Sequence, residues 1–283
     1  MDSLGRLIKL GSAAAALLLA TSCSADVHSA TSSSDLVRLA AVPAAEYTFP
    51  FAWAGDYTFQ WSAADDIDLT SPESTVVRAL AESRRLSVSV GDRLAYPGYS
   101  QAVSQVDWLR IPDGGSYPAD AREGDWQLRW GGTFLARILR IESGDHGFTA
   151  AYCVDFGNVA ESDDGGTTYH WRSTSEDGES AGGWVIWLNV TPDGDARTRF
   201  PATDASGPAH RAPRFDVFDG WTVTGAWGPS PRRDGDTADV DSCTQWTRSN
   251  PHAAPPIVTS AYARTPITPP VTRPPSPGWL PPT

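Results

Sequence analysis

The feature that most constrains the fold is the order of two periodicities: one helical segment comes early, and strand-like segments follow it. Ser71 is a favourable N-cap, Pro72 suits the first helical position, and Glu73 complements the positive end of the helix dipole. The residues that follow alternate at helical spacing between an apolar face and an opposite charged face, namely Val76, Val77, Leu80 and Ala81 against Arg78, Glu82 and Arg85. The pattern predicts a helix over about 72–90 that ends before Gly91.

The second half of the chain has the alternation of β-strands separated by glycine-rich turns. Residues 148–156 place apolar and smaller side chains on alternate faces, and 184–190 are apolar on both faces, as in a central strand. Further strands are predicted over 133–141, 169–172 and 221–227, and near the start over 57–61. This order predicts an α+β domain in which a long N-terminal helix packs on a curved antiparallel sheet of four or more strands.

These segments resemble the cone-shaped fold of the nuclear-transport-factor-2-like and SnoaL-like (cystatin-like) superfamily. The resemblance covers about 70–228 and is carried by Ser71-Pro72-Glu73 through Val90, Tyr96-Pro97-Gly98-Tyr99, Ala150 to Asp155, and Asp219-Gly220-Trp221-Thr222-Val223. Similar actinobacterial members are secreted lipoproteins. The chain departs from the family over 107–129, which looks like a loop where members usually have two further helices. The fold would imply a pocket between helix and sheet, used for catalysis in some members and for binding or assembly in others.

The same resemblance implies a candidate catalytic pair. In SnoaL-like enzymes a His/Asp or Tyr/Asp pair inside the cone acts as a general base. Here His170 lies in a predicted strand between two aromatic residues, and Asp155 lies in another strand. The alternative is that His170 is a surface or packing histidine.

The N-terminus has the pattern of an export signal. Two basic residues, an apolar run over 13–20 and small residues lead to Cys23, and the run is shorter than the ~20 residues of a transmembrane helix. Leu-Ala-Thr-Ser-Cys at 19–23 resembles the bacterial lipobox, in which the cysteine is acylated, although Ala20 stands where Leu is most common. The alternative is a plain secretory signal with an incidental cysteine. We expect 1–22 to be a lipoprotein signal peptide and lipidated Cys23 to hold the protein to the outer face of the bacterial cell membrane.

Composition divides the rest of the chain. Residues 23–45 are rich in Ser and Ala and predict a flexible tether, whereas 250–283 are rich in Pro and predict a disordered, extended tail. The folded domain is therefore expected over 46–249. The net charge of −12 argues against binding nucleic acid, which needs a basic surface.

Two cysteines remain once Cys23 is acylated. In an oxidising compartment Cys153 and Cys243 are more simply explained as a disulfide than as free thiols, although a catalytic cysteine is an alternative. The bridge would close a loop of about 90 residues and stabilise the fold by roughly 4 kcal/mol.

Other motifs give no reaction centre. The chain contains no Gly-X-Ser-X-Gly elbow, HExxH helix or phosphate loop, and the sequence predicts no cofactor and no metal. The acidic run Asp234-Gly235-Asp236 with Asp239 and Asp241 lacks the turn glycine and distal glutamate of a calcium loop, so a solvated loop is the simpler interpretation.

The twelve tryptophans leave binding open. Trp108, Trp126 and Trp130 lie in the loop-like stretch and are candidates for an exposed recognition surface, with burial in the core as the alternative. The sequence favours a lipid-anchored, non-catalytic envelope protein that binds an envelope protein or a glycan. The alternatives are a SnoaL-like pocket enzyme and a tryptophan-rich carbohydrate-binding module.

Overall fold

The chain forms one mixed sheet with helices on both faces. The computed structural model describes residues 47–111, 128–171, 183–194, 209–228, 237–254 and 265–280. The elements in chain order are α1 (Phe51–Ala54), β1 (Gly55–Ala63), α2 (Pro72–Val90), α3 (Tyr99–Ala102), β2 (Arg129–Gly144), β3 (Gly147–Asp155), β4 (Val159–Ser162), β5 (His170–Trp171), β6 (Trp184–Pro192), β7 (Trp221–Trp227) and α4 (Thr237–Ser249). The α+β class is confirmed. None of the helices in these ranges combines the length and the apolar character needed to cross a membrane.

Helix α2 has the bounds that its capping residues predict. The Ser71 hydroxyl accepts a hydrogen bond from the Ser74 N–H at 3.2 Å, and Pro72 occupies the first helical position. Gly91, with φ of +77°, ends the helix and donates its N–H to the Ser87 carbonyl at 2.8 Å.

The charged face of α2 is not exposed, in contrast to the prediction from its periodicity. Arg78 and Glu82 are only 3% and 5% exposed, respectively. The residues that cover them include Pro277 and Trp279, from the C-terminal part of the chain. The amphipathic pattern indicates only which side of α2 packs against the sheet. It was misleading here because the charged side of the helix is also covered.

The sheet has seven strands and is mixed rather than wholly antiparallel. Strand β2 pairs with β3 and β4 along one edge, and β5, β6 and β7 extend the sheet by antiparallel pairing. Strand β1 runs parallel to β2 on the other edge, from Gly55 opposite Trp130 to Ala63 opposite Ile138. The direction follows from the connection, because α2 forms part of the crossover between the two strands and returns the chain to the end where β1 began.

Alternation along the strands creates two different faces. The face towards α2 is an aromatic and aliphatic core that includes Phe59, Trp61, Phe134, Tyr152 and Trp221. Phe59 and Phe134 stack there with centroids 4.8 Å apart. The opposite face has a smaller core, formed by Ala151, Cys153, Val185, Trp187 and Cys243.

Helix α4 covers part of this second face, and sequence analysis missed it. The predicted Cys153–Cys243 disulfide is present and joins α4 to β3. Asp239 of α4 accepts hydrogen bonds from the Trp187 indole at 2.8 Å and from Arg140 at 3.0 Å. The acidic residues around Cys243 favoured a loop, but Val240, Cys243 and Thr247 recur at the spacing of one helical face.

The predicted disordered tail is wrong for residues 265–280, which we call the C-terminal strap. It begins beside β5, where Ile267 donates its N–H to the Tyr169 carbonyl at 2.8 Å. It then crosses β2 on the α4 side of the sheet, where the Thr133 hydroxyl donates to the Val271 carbonyl at 3.3 Å. The same hydroxyl accepts the Arg273 N–H at 2.9 Å. The folded domain therefore extends well beyond residue 249.

The strap continues around the exposed edge of β1. Ser276 donates its N–H to the Phe59 carbonyl at 3.2 Å and accepts the Trp61 N–H at 2.6 Å, as an added parallel strand would. Trp279 then reaches the α2 side and is 3% exposed. Proline limits the number of donors in the strap, so these few bonds protect the edge of β1 without extending the sheet further.

Candidate functional site

Asp155 has a histidine partner, but the partner is His252 rather than His170. At the end of β3, Asp155 Oδ2 lies 2.8 Å from His252 Nε2 and accepts a bond from the Asn250 amide at 2.8 Å. Its other oxygen accepts the Gly157 N–H at 2.8 Å. Both partners follow α4 directly, so the disulfide-linked helix delivers them to the end of β3.

His170 lies on the other face of the sheet. In the register of the sheet His170 lies opposite Glu161, and Glu161 lies opposite Trp130. Residues opposite each other on neighbouring strands share a face of the sheet. Trp130 belongs to the core beneath α2. Asp155 lies opposite Leu135, and Leu135 stands between two core residues of β2, so both point to the other face of the sheet. The structure therefore does not bring His170 and Asp155 together. His170 Nε2 instead lies 3.8 Å from Asp163 Oδ1.

A cavity of about 230 Å³ lies beside the Asp155–His252 pair, beneath the strap. Thr133 and Leu135 of β2 form its floor, and Asn158 and Ala253 form one wall. The strap residues Pro270, Val271 and Arg273 form its roof. Because Leu135 is the register partner of Asp155, this cavity and the pair lie on the same face of the sheet. It is the face opposite the pocket between helix and sheet that the family resemblance implied.

Close approach of the strap to β2 depends on two glycines. A Cβ added at Gly131 would lie 2.9 Å from Pro269 Cβ, which is too close for two carbon atoms. Gly132 has a φ of +109° and lies against the Asn158 carbonyl and Pro270. The Gly131-Gly132 pair lies inside β2 and permits the roof of the cavity to pack on its floor.

Most polar groups in the cavity wall already have partners. The Thr133 hydroxyl both donates to and accepts from the strap. The Asn158 side chain donates to the Pro251 carbonyl at 2.9 Å and accepts the Ala253 N–H at 2.9 Å. These groups hold the walls of the cavity in place rather than facing a reacting molecule.

The three tryptophans proposed as a recognition surface do not share one environment. Trp130 is 2% exposed and lies beneath Arg85, whose guanidinium carbon is 4.7 Å from a ring centroid. Trp108 is 42% exposed and stacks with Arg84 at 5.6 Å. Trp126 lies outside the described residues. A recognition surface can therefore include Trp108 but not Trp130.

Two site residues were missed because they fell in a segment that composition alone assigned to a tail. His252 and Asn250 follow α4 in a Ser-Asn-Pro-His sequence, which is typical of a chain leaving a helix. The cysteine at 243 was the available signal, since a disulfide from there to β3 fixes the following residues near Asp155. Of the acidic run once compared with a calcium loop, Asp239 is engaged by Arg140 and Trp187, and Asp234 and Asp236 lie outside the described residues.

Cys23, the signal peptide and the tether also lie outside the described residues. Comparison with protein-family models finds no match, and neither the curated proteins nor the solved structures contain a match. The resemblance to the cone-shaped superfamily therefore stays a prediction from sequence.

Proposed function

We propose that the chain is an exported lipoprotein, anchored through Cys23 to the outer face of the cell membrane, with a non-catalytic binding role in the envelope. Its partners are the membrane, through the lipid, and an envelope protein or ligand at the folded domain. The Cys153–Cys243 disulfide carries the proposal, because such bonds persist in oxidising compartments and are rare in the cytosol. It also leaves Cys23 as the one cysteine of the chain outside the bridge.

The environment of Asp155 supports a binding role over catalysis. Its carboxylate already accepts bonds from the Gly157 N–H, the Asn250 amide and the His252 ring. A general base needs a free lone pair directed at a substrate proton, and this geometry instead ties the end of β3 to the chain after α4. In this proposal His252 is a structural clamp that, together with Asn250, holds the end of β3.

The lipid anchor is testable by metabolic labelling. Cells that express the full chain are grown with an alkyne-tagged palmitate, and the protein is then isolated and examined for the label. We expect label on the wild type and none on Cys23→Ser, because only the thiol of Cys23 can form the thioether that carries the lipid.

A matched control separates lipidation from general disturbance of the leader. Ser22→Ala keeps a small residue before the cysteine and should be labelled like the wild type. If Cys23→Ser retains the label, or if the wild type is unlabelled, the proposed anchor is rejected; an unlabelled wild type outside the cell would indicate a plain secretory signal.

A further inference from the structure

We propose that the cavity beneath the C-terminal strap binds a compact anionic ligand with an apolar body, and that Arg273 holds the anionic group. This inference rests on the proposed binding role and names the chemistry of the ligand. Four observations carry it: the size of the cavity, its construction, the engagement of its polar groups, and the charge at its rim.

The size and construction favour a small ligand. At about 230 Å³ the cavity lies below the ~300–1,000 Å³ of sites for drug-sized molecules. Its floor and roof are fixed to each other by the two hydrogen bonds of the Thr133 hydroxyl to the strap. A cavity of this volume accommodates a single ring or a short branched chain better than a polymer.

The lining favours an apolar body. Leu135, Ala253, Pro270 and Val271 contribute hydrocarbon to the cavity. The hydroxyl of Thr133 and the amide of Asn158 have partners within the protein, so a ligand gains little by offering them hydrogen bonds. Burial of apolar surface is then the main source of affinity within the cavity.

The rim favours an anion. Arg273 lines the cavity and is exposed, and in the part of the chain that the structure describes its guanidinium has no carboxylate partner. Two nearby carboxylates are engaged elsewhere. Asp56, whose carbonyl accepts the Thr272 hydroxyl, pairs with Arg211. Asp155, the register partner of Leu135, accepts bonds from Asn250 and His252. A guanidinium with free donors prefers a carboxylate or phosphate group.

The test uses the full chain with Cys23→Ser, which carries no lipid, so the result does not depend on the anchor. Ligand-detected NMR titrations compare benzoate with benzyl alcohol, which has the ring without the charge, and acetate, which has the charge without the ring. We expect benzoate to bind more tightly than either. Arg273→Gln should raise the Kd of benzoate roughly tenfold and leave that of benzyl alcohol unchanged.

Arg110→Gln is the matched control, because Arg110 is an exposed arginine in a turn and does not line this cavity. The proposal is overturned if benzoate does not bind, if it binds no better than acetate, or if both arginine variants weaken it equally. Because Arg273 is exposed, its side chain can be replaced without disturbing the core. The palmitate labelling does not depend on any result of these titrations, so failure of the ligand site is distinguishable from failure of the lipid anchor.

Discussion

At the scale of single residues, Glu82 shows how a charged side chain can become part of the interior. Its carboxylate accepts hydrogen bonds from the indoles of Trp61 and Trp279, each at 2.8 Å, and from the Tyr96 hydroxyl at 2.7 Å. Burial raises the pKa of Glu82 above its ordinary value, against the opposing effects of Arg78 and of these three donors. Every donor is a large aromatic residue, so this carboxylate organises ring packing as well as charge.

The raised pKa predicts a pH-dependent stability. As the pH falls, folded Glu82 binds a proton before unfolded Glu82 does, because its pKa is higher in the folded state. The free energy that burial of the charge costs at neutral pH therefore diminishes as the pH approaches 4.5, the ordinary pKa of this side chain. The free energy of unfolding of the wild type, minus that of Glu82→Gln, should therefore rise as the pH is lowered from about 7 to about 5. Urea unfolding at several pH values measures this difference. A difference that stays constant, or falls, would contradict a raised pKa.

At the scale of elements, the strap shows that a proline-rich segment can be integral to a fold. Its backbone has few donors, and those of Ser276 and Trp279 pair with Phe59 and His210. Side chains add to the backbone contacts of the strap, above all that of Trp279, which stands beneath the Arg78 guanidinium at 4.7 Å. A segment with the composition of a linker is thus ordered by one aromatic anchor and by an unpaired strand edge.

Trp279→Ala should therefore release the end of the strap. The change removes a buried ring and the indole bond to Glu82, which we expect to lower the free energy of unfolding by about 3–5 kcal/mol. Val271→Ala is the control from the same strap: Val271 is 82% exposed, so its truncation should stay within about 0.5 kcal/mol. Denaturant unfolding compares the two variants. Equal effects would show that Trp279 does not anchor the strap.

At the scale of the whole molecule, the sheet is stabilised from both faces by different means. An aromatic core lies beneath α2, whereas α4 covers the opposite face with a smaller core and the disulfide. The bridge joins residues 90 positions apart, so it links the middle of the sheet to α4. Loss of this bond should weaken the attachment of α4 to the sheet. It should also weaken the Asp155–His252 contact, because His252 follows α4 in the chain.

The double variant Cys153→Ala/Cys243→Ala should lose about 4 kcal/mol of unfolding free energy, because the unfolded chain gains the entropy of an open loop. Unfolding under non-reducing conditions measures the loss, and wild type treated with a reductant should show a similar loss. Thiol titration of the denatured wild type should find neither Cys153 nor Cys243 free. Two free thiols there would contradict the bridge.

The sequence by itself determined features that depend on neighbours in the chain. The bounds of α2 follow from Ser71, Pro72 and Gly91, because capping acts within a single turn. The alternation of Tyr57, Phe59 and Trp61 indicated β1, and these side chains do enter the core. The cysteine pairing followed from counting the two thiols that remain in a chain expected to be exported.

Only the tertiary structure decided which distant segments meet. The Glu82–Trp279 bond spans 197 residues and the Asp155–His252 contact spans 97, and no local periodicity records such distances. Composition therefore misassigned the strap, because proline content reports the entropy of an isolated segment and not the unpaired edge that binds it. For the same reason, the charged side of α2 and the partner of Asp155 became visible only once the chain had folded around the sheet.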